Sequence, residues 1–96
     1  MVSVDDYIVD VLMRDLVAHD RRPVAFFAYL WLVKEQQQQH GRPVRVSYRD
    51  MAESIGVSKS SAQTAISWLV RRRLLAVTKE NSTAIPCYTV LRPWKS

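Results

Sequence analysis

Ser47-Tyr48-Arg49-Asp50-Met51-Ala52-Glu53-Ser54-Ile55-Gly56-Val57-Ser58-Lys59-Ser60-Ser61-Ala62-Gln63-Thr64-Ala65-Ile66-Ser67-Trp68-Leu69 contains two helix starts separated by one tight stop. Ser47 followed three residues later by Asp50 approximates a capping box, with Asp in place of Glu. The helix it starts is predicted over 48–54, with Met51, Ala52 and Ile55 facing inward. Gly56 ends it, because glycine turns left-handed without steric cost. Ser58 then offers its oxygen to the free N–H groups of a second helix, predicted over 59–73. On that helix Ala62, Ala65, Ile66, Leu69 and Val70 make one apolar stripe, continued by Leu74. The opposite side carries Ser60, Thr64, Ser67 and Arg71, flanked by Lys59 and Gln63.

Downstream, the period changes from helix to strand. Leu75 to Thr78 reads as one strand, Lys79-Glu80-Asn81-Ser82-Thr83 as a polar turn, and Ile85 to Leu91 as a second strand. Pro86 cannot donate to a ladder, which places it near an edge or a strand's beginning. Upstream, Arg45-Val46-Ser47 is short and β-prone.

Towards the N-terminus, Val4, Tyr7, Ile8, Val11, Leu12 and Leu16 recur with a helical period, with Met13 and Val17 at the stripe's edge. A helix is predicted over 4–19, with Asp5 and Asp6 favourably placed in its first turn. Pro23 suits the first position of the next helix, predicted over 23–39, since its missing N–H needs no partner there. Phe26, Phe27, Tyr29, Leu30, Trp31, Leu32 and Val33 leave that helix almost no polar face, so it must be covered on more than one side. Gln36 to Gln39 reads as an ordinary polar helix end, terminated by Gly41-Arg42-Pro43.

Ninety-six residues with 48% hydrophobic content fit one domain around one core. No apolar run reaches the roughly 18 residues of a membrane span, and Asp5 and Asp6 stand where a secretory signal would be basic. The expected setting is cytoplasmic, without membrane association. One cysteine, Cys87, forms no internal disulfide, and with two histidines it cannot complete a four-ligand zinc site. No cofactor or small-molecule ligand is evident. The formal charge of +5 is unevenly spread: residues 41–96 carry ten basic and three acidic side chains, a net +7, whereas residues 1–40 carry four and six, a net −2. That asymmetry suits a polyanion binder, since neutralised phosphates release condensed counterions.

Residues 47–69 together with Leu74-Leu75 resemble the winged helix-turn-helix regulators, particularly the gluconate-repressor-like class and related modules of replication initiators. The resemblance covers about residues 23–92, with Arg73 standing where many relatives have glycine. It implies a mainly α fold with a small β-hairpin: an N-terminal helical addition (1–22), a three-helix core (23–74) and a wing hairpin (75–92). It also implies double-stranded DNA as partner, with the 59–73 helix in the major groove and the 79–83 turn as wing. An effector or catalytic domain, usual in the family, finds no room in 96 residues.

Within that resemblance, Lys59, Ser60, Gln63, Thr64 and Ser67 are the candidate groove residues, Gln63 being able to pair bidentately with adenine. Ser47 and Ser58 are DNA-binding candidates besides being caps. Arg71, Arg72 and Arg73 are candidate phosphate contacts, although the helix dipole also favours cations there. Arg45 and Arg49 are phosphate candidates with a solvated-surface alternative. Lys79 with Asn81 would reach a neighbouring groove or backbone, a merely soluble turn being the alternative. Trp68 lies off the apolar stripe and reads either as an interface anchor or as packing against the hairpin or first helix. A homodimer through the first two helices is expected, and a protein-interaction adaptor or replication-type accessory module is the alternative function. No nucleophile with a base, phosphate loop or metal cluster marks an enzyme.

Overall fold

A computed structural model describes residues 2–95. Helix α1 (residues 6–19) leads to α2 (Pro23–Gln38), β1 (Val44–Arg45), α3 (Tyr48–Ile55), α4 (Lys59–Arg71), β2 (Leu75–Thr78) and β3 (Cys87–Val90). The strands form one antiparallel sheet of order β1-β3-β2, with Val44 opposite Tyr88 and Leu75 opposite Val90. The fold is thus mainly helical with a small sheet. The predicted hairpin supplies two of its three strands, and the third is β1, one residue earlier than the β-prone stretch expected.

Helix α2 is the centre. It buries Ala25, Phe26, Ala28, Tyr29, Leu32 and Val33 and packs against α1, α3, α4, β1 and β3. The expectation that it is covered on several sides therefore holds, with one exception: Phe27 stays half-exposed. Trp31 is only half-buried, beneath the Lys34 ammonium 5.7 Å from its ring centroid. The Tyr29 hydroxyl donates 2.9 Å to the Leu91 carbonyl, so this large core residue brings its polar tip to a partner.

Helix α1 starts two residues later than predicted and is wound more loosely than an α-helix. Over Ile8–Leu12 and Asp15–His19 its backbone bonds run i→i+5, with the Met13 N–H reaching Ile8 O and Asp20 N–H reaching Asp15 O. The wider turn narrows the buried stripe to Ile8, Leu12 and Leu16, four residues apart. Val4, Tyr7, Met13 and Val17 stay exposed and Val11 half-buried.

The glutamine tract does more than end a helix. Gln36 Oε1 accepts the Val90 N–H of β3 at 2.8 Å, and Gln37 bonds both the N–H and the carbonyl of Ser3. Gln36 thus satisfies a strand N–H that the ladder leaves open, and Gln37 ties down the backbone ahead of α1. The termini meet nearby: Asp5 pairs with Arg92 at 3.2 Å and Lys95 at 3.3 Å, and Tyr7 stacks on Trp94 with ring centroids 4.5 Å apart.

The local stops fall as physics requires, but not always on the residue expected. Gly56 takes φ 78° at the end of α3. Helix α2 turns left-handed at His40 (φ 58°) before Gly41 (φ 84°) does the same. Helix α4 ends at Arg71, two residues short of the prediction, because Arg73 turns left-handed at φ 60°. The Leu74 N–H then bonds Leu69 O at 2.9 Å and the Arg73 N–H bonds Val70 O at 3.0 Å, which is a Schellman exit. The exit forms without glycine, at the left-handed cost of a Cβ. Val70, inside the helix, lies on its exposed side, 41% accessible, and not in the buried stripe.

Arg73→Gly is expected to stabilise the fold by about 1 kcal/mol, seen as a Tm rise of about 4–8 °C. Gly56→Ala has nothing within 4 Å of its new Cβ, so it should lower Tm through backbone strain alone, by a comparable amount.

Candidate nucleic-acid interface

Two serines and a glycine set the relation between α3 and α4. Ser47 Oγ accepts the Asp50 N–H at 3.1 Å, and Ser58 Oγ accepts the Ser61 N–H at 3.1 Å. Ser58 also donates 2.8 Å to Ser61 Oγ and lies 3.2 Å from Ser60 Oγ. Both Ser47 and Ser58 therefore serve first as helix caps, and their oxygens are engaged within the chain. Ala62, Ala65, Ile66 and Leu69 anchor the inner side of α4.

Fixing that side turns the other outward. Lys59, Ser60, Gln63, Thr64, Ser67 and Arg71 are all exposed. Apart from Ser60 with Ser58, none of these six has a side-chain hydrogen bond or ion-pair partner among the described residues. No carboxylate occurs anywhere on α4. The helix thus presents a row of hydroxyls, one amide and two terminal cations with their bonding capacity unspent.

The flanking candidates divide. Arg45 and Lys79 come together around one cleft of about 200 Å³ beside Ile85 and Cys87, although 34 residues separate them in the chain. Arg49 lies 3.6 Å from Glu53 one turn along α3, both exposed, which offsets part of its charge. Asn81 is occupied in shaping the turn: its Oδ1 accepts the Thr83 N–H at 3.0 Å and the Thr83 hydroxyl at 2.8 Å. That is an Asx-type turn, and it leaves the Asn81 amide NH₂ for an outside partner. The second strand of this hairpin begins at Cys87, two residues later than predicted, because Pro86 lies before it with its carbonyl taken by the Val46 N–H at 3.3 Å.

Trp68 packs beside the end of α1, which resolves its two readings in favour of packing. Its Nε1 donates 3.0 Å to Asp20 Oδ2. The same carboxylate, 4% exposed, receives His19 Nδ1 at 3.0 Å and Arg72 Nε at 3.5 Å. Burial raises the Asp20 pKa, but the His19 and Trp68 hydrogen bonds and the Arg72 charge outweigh it and hold the group below its ordinary value. Arg22 lies with its guanidinium carbon 4.6 Å from the Trp68 ring centroid, and Arg71 lies at 5.7 Å.

Sequence reasoning missed Arg21 and Arg22. They sit across a cleft from Ser60, Ser61 and Thr64. Nothing local announces this, since the two sides are about forty residues apart in the chain. The double arginine before Pro23 was the only available signal. Among the described residues no group of three or more metal-ligating side chains occurs, and no helix is long and apolar enough to cross a membrane. Comparison with protein-family models, curated proteins and solved structures finds no match to this chain.

Because the Asp20 pKa is depressed on folding, its stabilisation is present above the ordinary value of 3.8 and is lost as pH falls through the lower folded value. Asp20→Asn should therefore destabilise the protein by a constant amount at neutral and mildly acid pH. The gap between the two Tm curves should close below about pH 4. A gap that is unchanged down to pH 2 would exclude the carboxylate charge as its source.

Proposed function

We propose that this chain is a winged helix-turn-helix domain that binds double-stranded DNA as a small transcriptional regulator, with α4 in the major groove and the β2–β3 hairpin as its wing. The observation that carries the reading is the outer face of α4: exposed, free of carboxylates, and set with side chains that both donate and accept. The major groove is about 12 Å wide and admits one helix. Gln63 suits adenine there, Lys59 suits guanine acceptors or phosphate, and the hydroxyls of Ser60, Thr64 and Ser67 suit either. Arg45, Lys79 and Arg71 supply charge around it, and the C-terminal half's net +7 favours a polyanion.

An adaptor anchored by Trp68 is the weaker reading. Its indole N–H is already given to Asp20 and its ring is flanked by Arg22 and Arg71. For DNA binding, duplex affinity should fall with salt along a log–log line of slope about −0.9 per phosphate contact. Gln63→Ala should relax base preference by about 1 to 3 kcal/mol, while Lys79→Ala weakens all sequences alike. Salt-insensitive binding, or equal losses on every sequence for both variants, would refute the respective parts of the reading.

The partner in solution is proposed to be a second copy. Val9, Met13 and Val17 recur every four residues as an exposed apolar line on α1, and a two-fold dimer would present two α4 helices to a pseudo-palindromic site. Light scattering should give twice the chain mass of 11.1 kDa and the monomer mass for Met13→Glu. A monomer at every concentration removes the dimer and leaves the DNA reading standing.

A further inference from the structure

A cleft of about 270 Å³ separates the chain entering α2 from the N-terminal half of α4, with Arg21 and Arg22 on one side and Ser60, Ser61 and Thr64 on the other. We propose that it holds a phosphodiester group of the DNA strand bordering the groove that α4 enters, bound by the two guanidinium groups and by the Ser60 and Thr64 hydroxyls. The proposal rests on the DNA-binding reading and adds residues from outside the stretch that first suggested it.

Charge and geometry argue for this occupant. Neither arginine has a carboxylate partner among the described residues, and Asp20, the nearest acid in sequence, is already shared by Trp68, His19 and Arg72. Arg22 is held in place before any ligand arrives. Its guanidinium lies 4.6 Å from the centre of the Trp68 ring, and that ring is fixed by its bond to the nearly buried Asp20. An arginine stacked in this way keeps its edge donors for an anion and loses less side-chain freedom on binding one.

The position matters as much as the charge. Ser60 and Thr64 lie one helical turn apart on α4, and the exposed Gln63 and Ser67 continue from them along the helix. A phosphate held between these hydroxyls and the α2 arginines would set the depth and register of α4, leaving Gln63 and Ser67 to meet base edges. Binding from the N-terminal half is otherwise disfavoured, since residues 1–40 carry a net −2. Arg21 and Arg22 are the cations that reverse this locally.

The test measures affinity by fluorescence anisotropy on two duplexes, one selected from a random pool and one scrambled, from about 50 to 200 mM salt. Three variants are compared. Arg21→Gly removes one charge and places glycine at a left-handed position (φ 55°), so it does not weaken the fold. Arg21→Gly with Arg22→Gln removes both charges. Arg14→Gln removes an exposed charge from α1 outside the cleft.

For every phosphate that a variant no longer neutralises, affinity should fall on the order of tenfold at about 0.1 M salt, on both duplexes alike, and the salt slope should become shallower by about 0.9. Arg14→Gln should keep the wild-type slope. A double variant that keeps that slope, or that weakens binding only to the selected duplex, overturns this proposal and leaves groove reading by α4 intact. A wild-type chain with no salt-dependent duplex binding overturns both. Should the double variant fail to fold, Arg21→Gly decides by affinity: equal weakening on both duplexes supports the cleft site, and wild-type affinity on both overturns it.

Discussion

The contact between α2 and α4 governs the rest of the molecule. It is the most extensive packing between helices in the fold, and Ala25 of α2 and Ala65 of α4, both buried, border the same cleft between them. Alanine at such a seam lets two backbones approach closely, and larger side chains there would force them apart. Because the inner side of α4 is fixed by this seam, its outer side has one orientation only. Gly56 and Ser58 decide where α4 begins, but the seam with α2 decides which way it faces. The proposed DNA surface is thus a product of apolar packing on the opposite side of the same helix.

What the sequence made legible was local. Ser47, Gly56 and Ser58 each act within three or four residues of themselves, through a cap oxygen or a left-handed backbone, and each does so where expected. Helices α2 and α3 end within one residue of their predicted limits, because period and stop signals agree there. The outward row on α4 follows from the same period. Val70 is the exception: the buried stripe runs through Leu69 and passes to Leu74 beyond the exit, leaving Val70 on the exposed side.

What stayed illegible was either non-local or ran against propensity. Arginine gives no warning that it will turn left-handed, yet Arg73 and Arg21 both do, at φ 60° and 55°. The wide turns of α1 are equally silent in the pattern, because a repeat of four apolar residues fits an α-helix as well as a looser one. Gln36 and Gln37 looked like solvated helix surface, and their bonds to Val90 and Ser3 close distances of 54 and 34 residues. For the candidate site, the residues on α4 itself were readable. Arg21, Arg22 and the Asp20–Trp68 bond were not, since they depend on where α1 docks.

That docking connects the two halves of opposite net charge. The acidic N-terminal half would repel a polyanion if its carboxylates faced the α4 surface, but several are engaged elsewhere: Asp5 with Arg92 and Lys95, Asp20 with Trp68, His19 and Arg72, Glu35 with Lys34. Asp20 does this next to the proposed binding surface. By accepting two hydrogen bonds and pairing with Arg72 in a nearly buried position it spends its negative charge inward, and Arg21 and Arg22, the next two residues, set the sign of that corner. Neutralising one acid beside two cations that have no acidic partner among the described residues converts the end of an acidic helix into a basic edge. Helix α1 thereby joins the positive face presented by α4, although its own sequence carries more acids than bases.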